Sequence, residues 1–326
     1  MIITQTPYRI SFFGGGTDYM QHYMKYGGCA LSTTIDKYCY INVRKLPPFF
    51  THGSHIVYSK VENVTEYSEI QHPVVRESMR FLNLKDLSIL HDGDLPARAG
   101  LGTSSAFTVG LLNALHALRG EYVDKMALAK EAIYMEHDVL KENVGVQDQM
   151  AVAMGGLNCL KFSAEGLEAE PLVIDKDRKK ELNDNLMMFF TGISRSASSV
   201  ADEQVKNTPQ KSKELLEMAN MVETAKHILF SRDDINDFGR LLHESWLLKR
   251  SLTSKISNTY IDNIYNTALK NGAIGGKLLG AGGGGFILLF VPKEKQTTVK
   301  KALVKFLHVP FKFEESGTKV VYFNNY

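Results

Sequence analysis

The chain has 326 residues and a mass of 36.5 kDa, which is enough for two domains or one large domain with two lobes. Its 38 Lys and Arg residues nearly balance 36 Asp and Glu residues, which argues against a dedicated nucleic-acid-binding protein. Three cysteines without a CxxC pair indicate neither a zinc site nor a redox dithiol. Because no apolar run approaches the roughly 20 residues of a membrane span, we expect a cytoplasmic globular protein without a nucleic-acid or membrane partner.

Hydrophobic periodicity predicts a mixture of strands and helices. The predicted strands cover residues 8–13, 30–35, 38–44, 87–91, 157–162, 186–191, 286–291 and 319–323. The predicted helices cover residues 73–82, 104–118, 125–141, 212–230, 235–249, 258–270 and 294–306. Strands dominate the first third and helices the last half, which predicts an α+β fold rather than a doubly wound parallel sheet. The charged stretch 175–185 is the predicted boundary between a lobe of residues 1–180 and a lobe of residues 181–326.

Glycine is distributed unevenly along the chain. One cluster covers residues 14–16, a second contains Gly100 and Gly102, and a third covers residues 275–285. A flexible linker would be polar on both sides, whereas each of these clusters adjoins apolar sequence. The clusters therefore predict tight backbone structures.

The second cluster, LPARAGLGTSSA at residues 95–106, runs directly into a predicted helix. Small residues and hydroxyls at a helix N-terminus lie where backbone N–H groups are unpaired and the helix dipole is positive. This arrangement predicts a cradle for an anion, most naturally phosphate. The alternative is that Thr103 or Ser104 merely caps the helix.

Two well-known nucleotide motifs do not fit this sequence. A Walker A loop, GxxxxGK[ST], does not occur. The string GAGGGG at residues 280–285 matches GxGxxG, but it leads into FILLF, which resembles a strand rather than the helix that a dinucleotide site requires. A tight hairpin without a ligand is the alternative for this cluster.

Two carboxylates stand out in YMEHDVLKENVGVQDQ at residues 134–149. Glu136 shares a helical face with Ala129, Ile133 and Leu140, so its side chain is expected to point inward. A buried carboxylate is costly unless it is paired or bound to a metal, and a structural salt bridge is the alternative to a metal. Asp148 is expected in a loop or at a helix start, where the alternative to a catalytic role is an N-cap.

Three motifs, in this order, resemble those of the GHMP kinases, named for galactokinase, homoserine kinase, mevalonate kinase and phosphomevalonate kinase. They are PYRISFFGGGTDY at residues 7–19, LPARAGLGTSSA at 95–106 and KLLGAGGGGF at 277–286. The resemblance covers nearly the whole chain. It implies a two-lobed α+β fold with the active site in the cleft between the lobes, and a reaction that uses ATP and Mg²⁺.

The resemblance also implies roles for individual residues. Asp148 corresponds to the catalytic aspartate of the sugar kinases, and Arg9 to the arginine that holds it ionised. Ser104 and Glu136 correspond to the ligands of Mg²⁺. The ATP phosphate loop would comprise Gly100, Leu101, Gly102, Thr103, Ser104 and Ser105.

The remaining implied roles concern the sugar. Asp18 corresponds to the acid that holds sugar hydroxyls, and it adjoins Gly15, Gly16 and Thr17. Gly282 and Gly283 would close over the cleft. Arg195, beside two serines, is the candidate for binding a phosphate on the substrate, because the guanidinium fork matches phosphate geometry.

Galactokinases carry GEHTDY where this chain has GGGTDY at residues 14–19, which is expected to remove hexose contacts and leave room for a larger substrate. GGGTDY, QDQ around Asp148 and TGISR at residues 191–195 resemble the branch of D-glycero-D-manno-heptose 7-phosphate kinases. That branch phosphorylates the anomeric hydroxyl of a sugar phosphate.

The alternatives are an L-fucose or galactose kinase, a mevalonate or homoserine kinase, a non-catalytic sugar-sensing module and a nucleotide-dependent oxidoreductase. A homodimer is compatible with the sequence.

Overall fold

A computed structural model describes residues 1–193 and 198–324. Within these ranges the helices are α1 (Met20–Tyr26), α2 (Pro73–Phe81), α3 (Thr103–Leu118), α4 (Lys125–Tyr134), α5 (Gln147–Met154), α6 (Lys176–Asp184), α7 (Ser198–Asn207), α8 (Ser212–Phe230), α9 (Asn236–Arg250), α10 (Thr259–Lys270) and α11 (Lys293–Ala302). Short 3₁₀ turns cover Tyr67–Glu69 and Thr208–Gln210, and a π-helical turn, Met135–Val139, extends α4. No described helix is both long and apolar enough to cross a membrane.

The strands form two sheets. They are β1 (Ile2–Phe13), β2 (Gly28–Lys45), β3 (Ser54–Val57), β4 (Val61–Val64), β5 (Leu87–Gly93), β6 (Leu157–Phe162), β7 (Leu167–Pro171), β8 (Leu186–Phe190), β9 (Gly275–Leu278), β10 (Phe286–Phe290), β11 (Leu307–His308), β12 (Phe313–Glu314) and β13 (Lys319–Phe323). The first sheet has nine strands, with the order β13-β1-β2-β5-β3-β4 and with β12 and β6 also paired with β2. The second sheet has the order β11-β8-β10-β9.

Strand β2 organises the first sheet because its 18 residues are long enough to pair with β1, β5, β6 and β12 at different points. Helices α3, α5 and α8 pack against β1 and β2. Almost every residue of β1 is therefore buried, and the strand lacks the alternation of a sheet that faces water on one side. Arg9 lies in this strand and is therefore buried.

The second sheet, with α8, α9, α10 and α11, surrounds a separate apolar cluster that contains Trp246, Tyr265 and Phe189. Trp246 is fully buried and is therefore a core residue. The chain then returns to the first sheet, because β12 pairs with β2 and β13 with β1. This arrangement of two mostly antiparallel sheets, in which β3 and β5 form a parallel pair, confirms the α+β prediction.

The predicted lobe boundary coincides with a helix. Residues 176–184 form α6. Its N-cap is Asp175, whose side chain accepts the N–H groups of Asp177 and Arg178. The division into residues 1–180 and 181–326 stays a prediction. The last two strands add residues from the end of the chain to the sheet built by its beginning.

Candidate active site

Arg9 and Asp148 form a bidentate ion pair. Arg9 Nε donates to Asp148 Oδ1 and Nη2 donates to Oδ2, both at 2.8 Å. The Arg9 side chain is 4% exposed, whereas that of Asp148 is 26% exposed, so the carboxylate has an open side. Asp148 is the second residue of α5, not part of a loop, and the guanidinium fixes the direction in which its carboxylate points.

The same arginine joins Asp148 to the second glycine motif. Arg9 Nη1 donates to the carbonyl oxygen of Gly100 at 2.7 Å, and the N–H of Arg9 donates to the carbonyl oxygen of Leu101 at 3.0 Å. A Cβ at position 102 would lie 3.1 Å from Arg9 Cγ and 3.6 Å from Asp148 Oδ2. Arg9 therefore contacts both Asp148 and the predicted phosphate loop, and holds them close together.

The N-terminus of α3 is open. Gly102 precedes the helix in the left-handed conformation, with φ of 70°, and no side chain caps the first turn. Thr103 Oγ1 accepts the N–H of Arg98 at 3.1 Å, and Ser104 is exposed. The alternative in which Thr103 or Ser104 caps the helix is thus not observed, and the positive end of the helix is available to an anion.

Glu136 is buried as predicted, with 1% of its surface exposed. Its Oε2 accepts hydrogen bonds from Ser105 Oγ at 3.3 Å and from Gln149 Nε2, while its Oε1 has no described hydrogen-bond partner. Burial raises the pKa of Glu136 to about 7. The serine that contacts Glu136 is Ser105, whereas the resemblance to the GHMP kinases implies that Ser104 and Glu136 act together.

Asp18 is also buried, and Gly16 N–H donates to its Oδ1 at 2.8 Å. Burial, reinforced by the charge of Asp148, raises the pKa of Asp18. A Cβ at position 145 would lie 1.8 Å from Asp18 Oδ2, so Gly145 allows the chain leading to Asp148 to pass against Asp18. The two carboxylates predicted for the sugar and for catalysis are brought together.

The hydrogen bonds of Thr17 indicate a structural role for this residue. Its Oγ1 lies 2.8 Å from the carbonyl oxygen of Gly14 and 3.0 Å from that of Cys29, and it accepts the N–H of Cys29 at 3.1 Å. The residue is fully buried. These contacts hold the first glycine cluster against the start of β2 and leave the hydroxyl little capacity for a substrate.

Two glutamines that the sequence analysis did not single out for binding approach the first glycine cluster. A Cβ on Gly15 would lie 3.4 Å from Gln147 Nε2, and one on Gly16 would lie 2.6 Å from Gln204 Nε2. Ser11 Oγ donates to Gln147 Oε1 at 2.8 Å, which fixes that amide. The Gln204 amide therefore occupies space beside Gly16 that was expected to be free, whereas a Cβ on Gly15 would make only ordinary van der Waals contact with Gln147. Gln147 is adjacent to Asp148 in the sequence and could have been noticed for this reason, whereas nothing local marks Gln204.

Comparison with known proteins identifies the family. The GHMP kinases N terminal domain matches residues 69–156, and the GHMP kinases C terminal domain matches residues 227–309. The chain is 32% identical to the D-glycero-alpha-D-manno-heptose 7-phosphate kinase of Campylobacter jejuni over 93% of both chains. The chain belongs to the GHMP kinase family.

Two other proteins show lower identity to this chain. The galactokinase of Pyrococcus furiosus is 26% identical over 93% of both chains. A crystal structure of a D-glycero-D-manno-heptose 1-phosphate kinase from Bacteroides thetaiotaomicron has a TM-score of 0.74, covers 99% of this chain and 100% of its own, and is 23% identical. That structure shares the fold. Together with the family models, the relatives make this protein an ATP-dependent sugar kinase.

In this GHMP kinase the third glycine motif packs against the second. Residues 280–285 join β9 to β10 in an antiparallel hairpin, so they do not open a helix, and the dinucleotide site is excluded. A Cβ on Gly280 would lie 2.5 Å from Gly100 Cα. Gly283 N–H donates to the carbonyl oxygen of Ile256 at 3.0 Å, and Gly282 packs on the same residue. No described contact joins Gly282 or Gly283 to Asp148.

The remaining predicted sites are those for a substrate phosphate and for a metal ion. Arg195, the candidate for a substrate phosphate, lies outside the described residues. Across residues 1–193 and 198–324, no three His, Cys, Asp or Glu side chains form a cluster that could hold a metal ion. A metal held by Glu136 would therefore take most of its ligands from hydroxyls, water and phosphate.

Proposed function

We propose that this GHMP kinase transfers the γ-phosphoryl group of Mg²⁺-ATP to the anomeric hydroxyl of D-glycero-D-manno-heptose 7-phosphate. The observation that carries the proposal is the Arg9–Asp148 pair, which sets a partly exposed carboxylate beside the open N-terminus of α3. The choice of sugar is supported by the relative from Campylobacter jejuni, which is matched along nearly its whole length.

Asp148 would act on the acceptor hydroxyl. Its carboxylate accepts the hydroxyl proton while the hydroxyl oxygen forms a bond to the γ-phosphorus and the bond from that phosphorus to the β–γ bridging oxygen breaks, releasing ADP. Arg9 holds both carboxylate oxygens, so the remaining lone pairs point in a fixed direction. Because phosphoryl transfer needs little covalent chemistry from the protein, positioning of this kind is the main contribution.

The residues present fit a magnesium ion. Glu136 Oε1 is a buried carboxylate oxygen without a described partner, and hard cations prefer such oxygen ligands. Glu136 would hold the ion together with a hydroxyl of the phosphate loop. The structure favours Ser105 for this hydroxyl because it already contacts Glu136, and the resemblance favours Ser104. When bound, the ion neutralises charge on the phosphate oxygens.

Substitution of Asp148 by Asn tests its role. The variant is expected to bind ATP normally and to lose about 10²–10⁴-fold in kcat, because the amide does not accept the proton. Asp262→Asn is the matched control, since Asp262 accepts from Arg250 at 2.8 Å and its side chain is 27% exposed against 26% for Asp148. Near-normal turnover of Asp148→Asn, with the melting temperature unchanged, would exclude Asp148 from the reaction.

The acceptor is tested with a panel of heptose 7-phosphate, L-fucose, galactose and mevalonate, with ADP release as the readout. We expect the highest kcat/KM for the heptose phosphate. If galactose or fucose is the preferred acceptor, the kinase activity is retained as a conclusion and the proposed acceptor is wrong. If ATP binds but none of the four compounds causes release of ADP, the result would favour the sugar-sensing module.

A further inference from the structure

Lys249 is a buried cation that the mechanism above does not use. It lies at the end of α9, is 6% exposed, and donates from Nζ to the carbonyl oxygen of Gly280. Among the described residues, this carbonyl is its one hydrogen-bond acceptor, and no carboxylate forms an ion pair with it. An ammonium group has three N–H donors, so two of them have no acceptor in the described protein.

The position of Lys249 is set by the two glycine motifs. Its acceptor, Gly280, packs directly on Gly100, whose carbonyl oxygen accepts from Arg9 Nη1 at 2.7 Å. Lys249 and Arg9 therefore lie on either side of one pair of touching backbone segments. Arg9 comes from the first sheet, whereas Lys249 comes from the helical second half, so the two cations approach the phosphate loop from different parts of the molecule.

The charges around Lys249 indicate the kind of ligand it faces. Burial and the positive charge of Arg9 lower the pKa of Lys249 to about 8, while Asp18 and Asp148 oppose the change. Neither carboxylate pairs with it, since Asp148 is already held by Arg9 and Asp18 accepts from Gly16. A buried ammonium with unused donors is costly, and an anion arriving between the loop and Asp148 would relieve that cost.

The neighbouring Lys277 differs from Lys249. Its Nζ donates to the carbonyl oxygen of Phe12 at 2.7 Å, and burial together with the charges of Lys249 and Arg9 lowers its pKa well below the usual range. No carboxylate is among the charges that act on it. Lys277 therefore ties β9 to β1 through the carbonyl oxygen of Phe12, whereas Lys249 donates to the glycine motif that packs on the phosphate loop.

We propose that Lys249 is a further catalytic residue of this kinase, whose ammonium group donates to the oxygens of the phosphoryl group while that group passes from the nucleotide to the acceptor. The inference rests on the proposed function only in requiring a nucleotide γ-phosphate at the phosphate loop; it is independent of which sugar is the acceptor. It therefore predicts an effect on nucleotide binding as well as on turnover.

The binding test compares ADP with the non-hydrolysable ATP analogue AMP-PNP, each with Mg²⁺, by calorimetry. In Lys249→Met, the affinity for AMP-PNP should fall about 10- to 100-fold, as expected for loss of a hydrogen bond to a charged group, while that for ADP stays unchanged. Lys249→Arg should retain most of the preference for AMP-PNP. Lys125→Met is the matched control, since Lys125 Nζ also donates to a backbone carbonyl, that of Met154, at 2.9 Å.

A pH profile gives a second readout. Since the free ammonium titrates near pH 8, the preference for AMP-PNP should decrease between pH 7 and 9 in the wild type and remain constant in Lys249→Arg. The other groups around Lys249 are Arg9, Asp18, Asp148 and Lys277, and all of them are shared by the two proteins. A preference of Lys249→Met for AMP-PNP equal to that of the wild type, or identical profiles for wild type and Lys249→Arg, would overturn the proposal.

Turnover separates this inference from the choice of sugar. With the preferred acceptor, Lys249→Met should lose about 10²–10³-fold in kcat with little change in the acceptor KM, as for removal of one donor to developing charge. If the wild type phosphorylates no sugar of the panel, the acceptor assignment fails, and the comparison of AMP-PNP with ADP still decides the role of Lys249.

Discussion

At the scale of single residues, Glu136 has an environment that is costly for a charged group. Its carboxylate is buried, receives hydrogen bonds on one oxygen only, and has a pKa near 7. A core carboxylate in this state destabilises the ligand-free protein whenever it is ionised. Its presence is understandable if the ionised form is needed for a cation, because the cost is then offset by the metal.

This environment predicts a pH dependence of stability. The pKa of Glu136 is raised from 4.5 to about 7, so its favourable protonated state is fully present below pH 4.5 and is lost as the pH rises to 7. Without ligands, Glu136→Gln should therefore gain stability relative to the wild type between pH 5 and 7.5, by up to about 3 kcal/mol. Urea unfolding at the two pH values measures the difference.

The same substitution should have the opposite effect on binding. Because a metal needs the ionised carboxylate, the affinity of the wild type for Mg²⁺-ATP should rise as the pH increases through 7, and Glu136→Gln should bind weakly at every pH. Glu168→Gln, on the exposed side of β7, is the control and should change neither property. Equal pH dependence of stability in wild type and Glu136→Gln would contradict the assignment.

At the scale of elements, the glycines of the second and third motifs keep two backbone segments in contact. Gly100 has φ of 81°, and a Cβ there would lie 2.4 Å from the carbonyl oxygen of Leu279. Gly120, at the end of α3, has φ of 77° with open space around the position of a Cβ. The two glycines therefore share a left-handed conformation and differ in packing.

This pair allows conformational strain to be separated from contact. Gly120→Ala should cost about 1–2 kcal/mol of unfolding free energy, which is the penalty for the left-handed conformation. Gly100→Ala should cost more and should weaken ATP binding at least about tenfold, because the phosphate loop must move away from Leu279. Equal losses of stability, with ATP affinity retained in both variants, would show that the contact is unimportant.

The elements also show what a sequence can reveal. Strands at 157–162 and 319–323 and the helix at 212–230 are confirmed at the predicted bounds, because their apolar patterns are regular and end at polar or turn residues. Helix α6 was missed since a run of charges without an apolar stripe resembles a linker. The predicted contact of Arg9 with Asp148 came from the resemblance to a family, whereas the contacts of Ser105, Gln204 and Lys249 depend on tertiary packing that no local pattern encodes.

At the scale of the whole molecule, the second half of the chain completes the first sheet. Strands β12 and β13, which follow the second sheet in the sequence, pair with β2 and β1. Trp246 is the only tryptophan and is fully buried in the cluster of the second sheet. Its fluorescence therefore reports the second half, while far-UV circular dichroism reports all helices and strands.

We expect the two signals to coincide in equilibrium unfolding. The returning strands couple the sheets, so neither sheet should unfold while the other is intact. A variant that ends at residue 310 lacks this connection, and its tryptophan transition should separate from its circular dichroism transition. Separate transitions in the complete chain would mean that the two halves are energetically independent.

The pairing of β1 with β13 brings the two ends of the described chain together, with the N–H of Asn324 donating to the carbonyl oxygen of Met1 at 2.9 Å. A short peptide could join these ends, and the ring could be reopened at the exposed turn around Gly120. Such a circular permutant would be synthesised in a different order and would keep every pairing in both sheets. The topology thus separates the order in which the segments are synthesised from the architecture that they form.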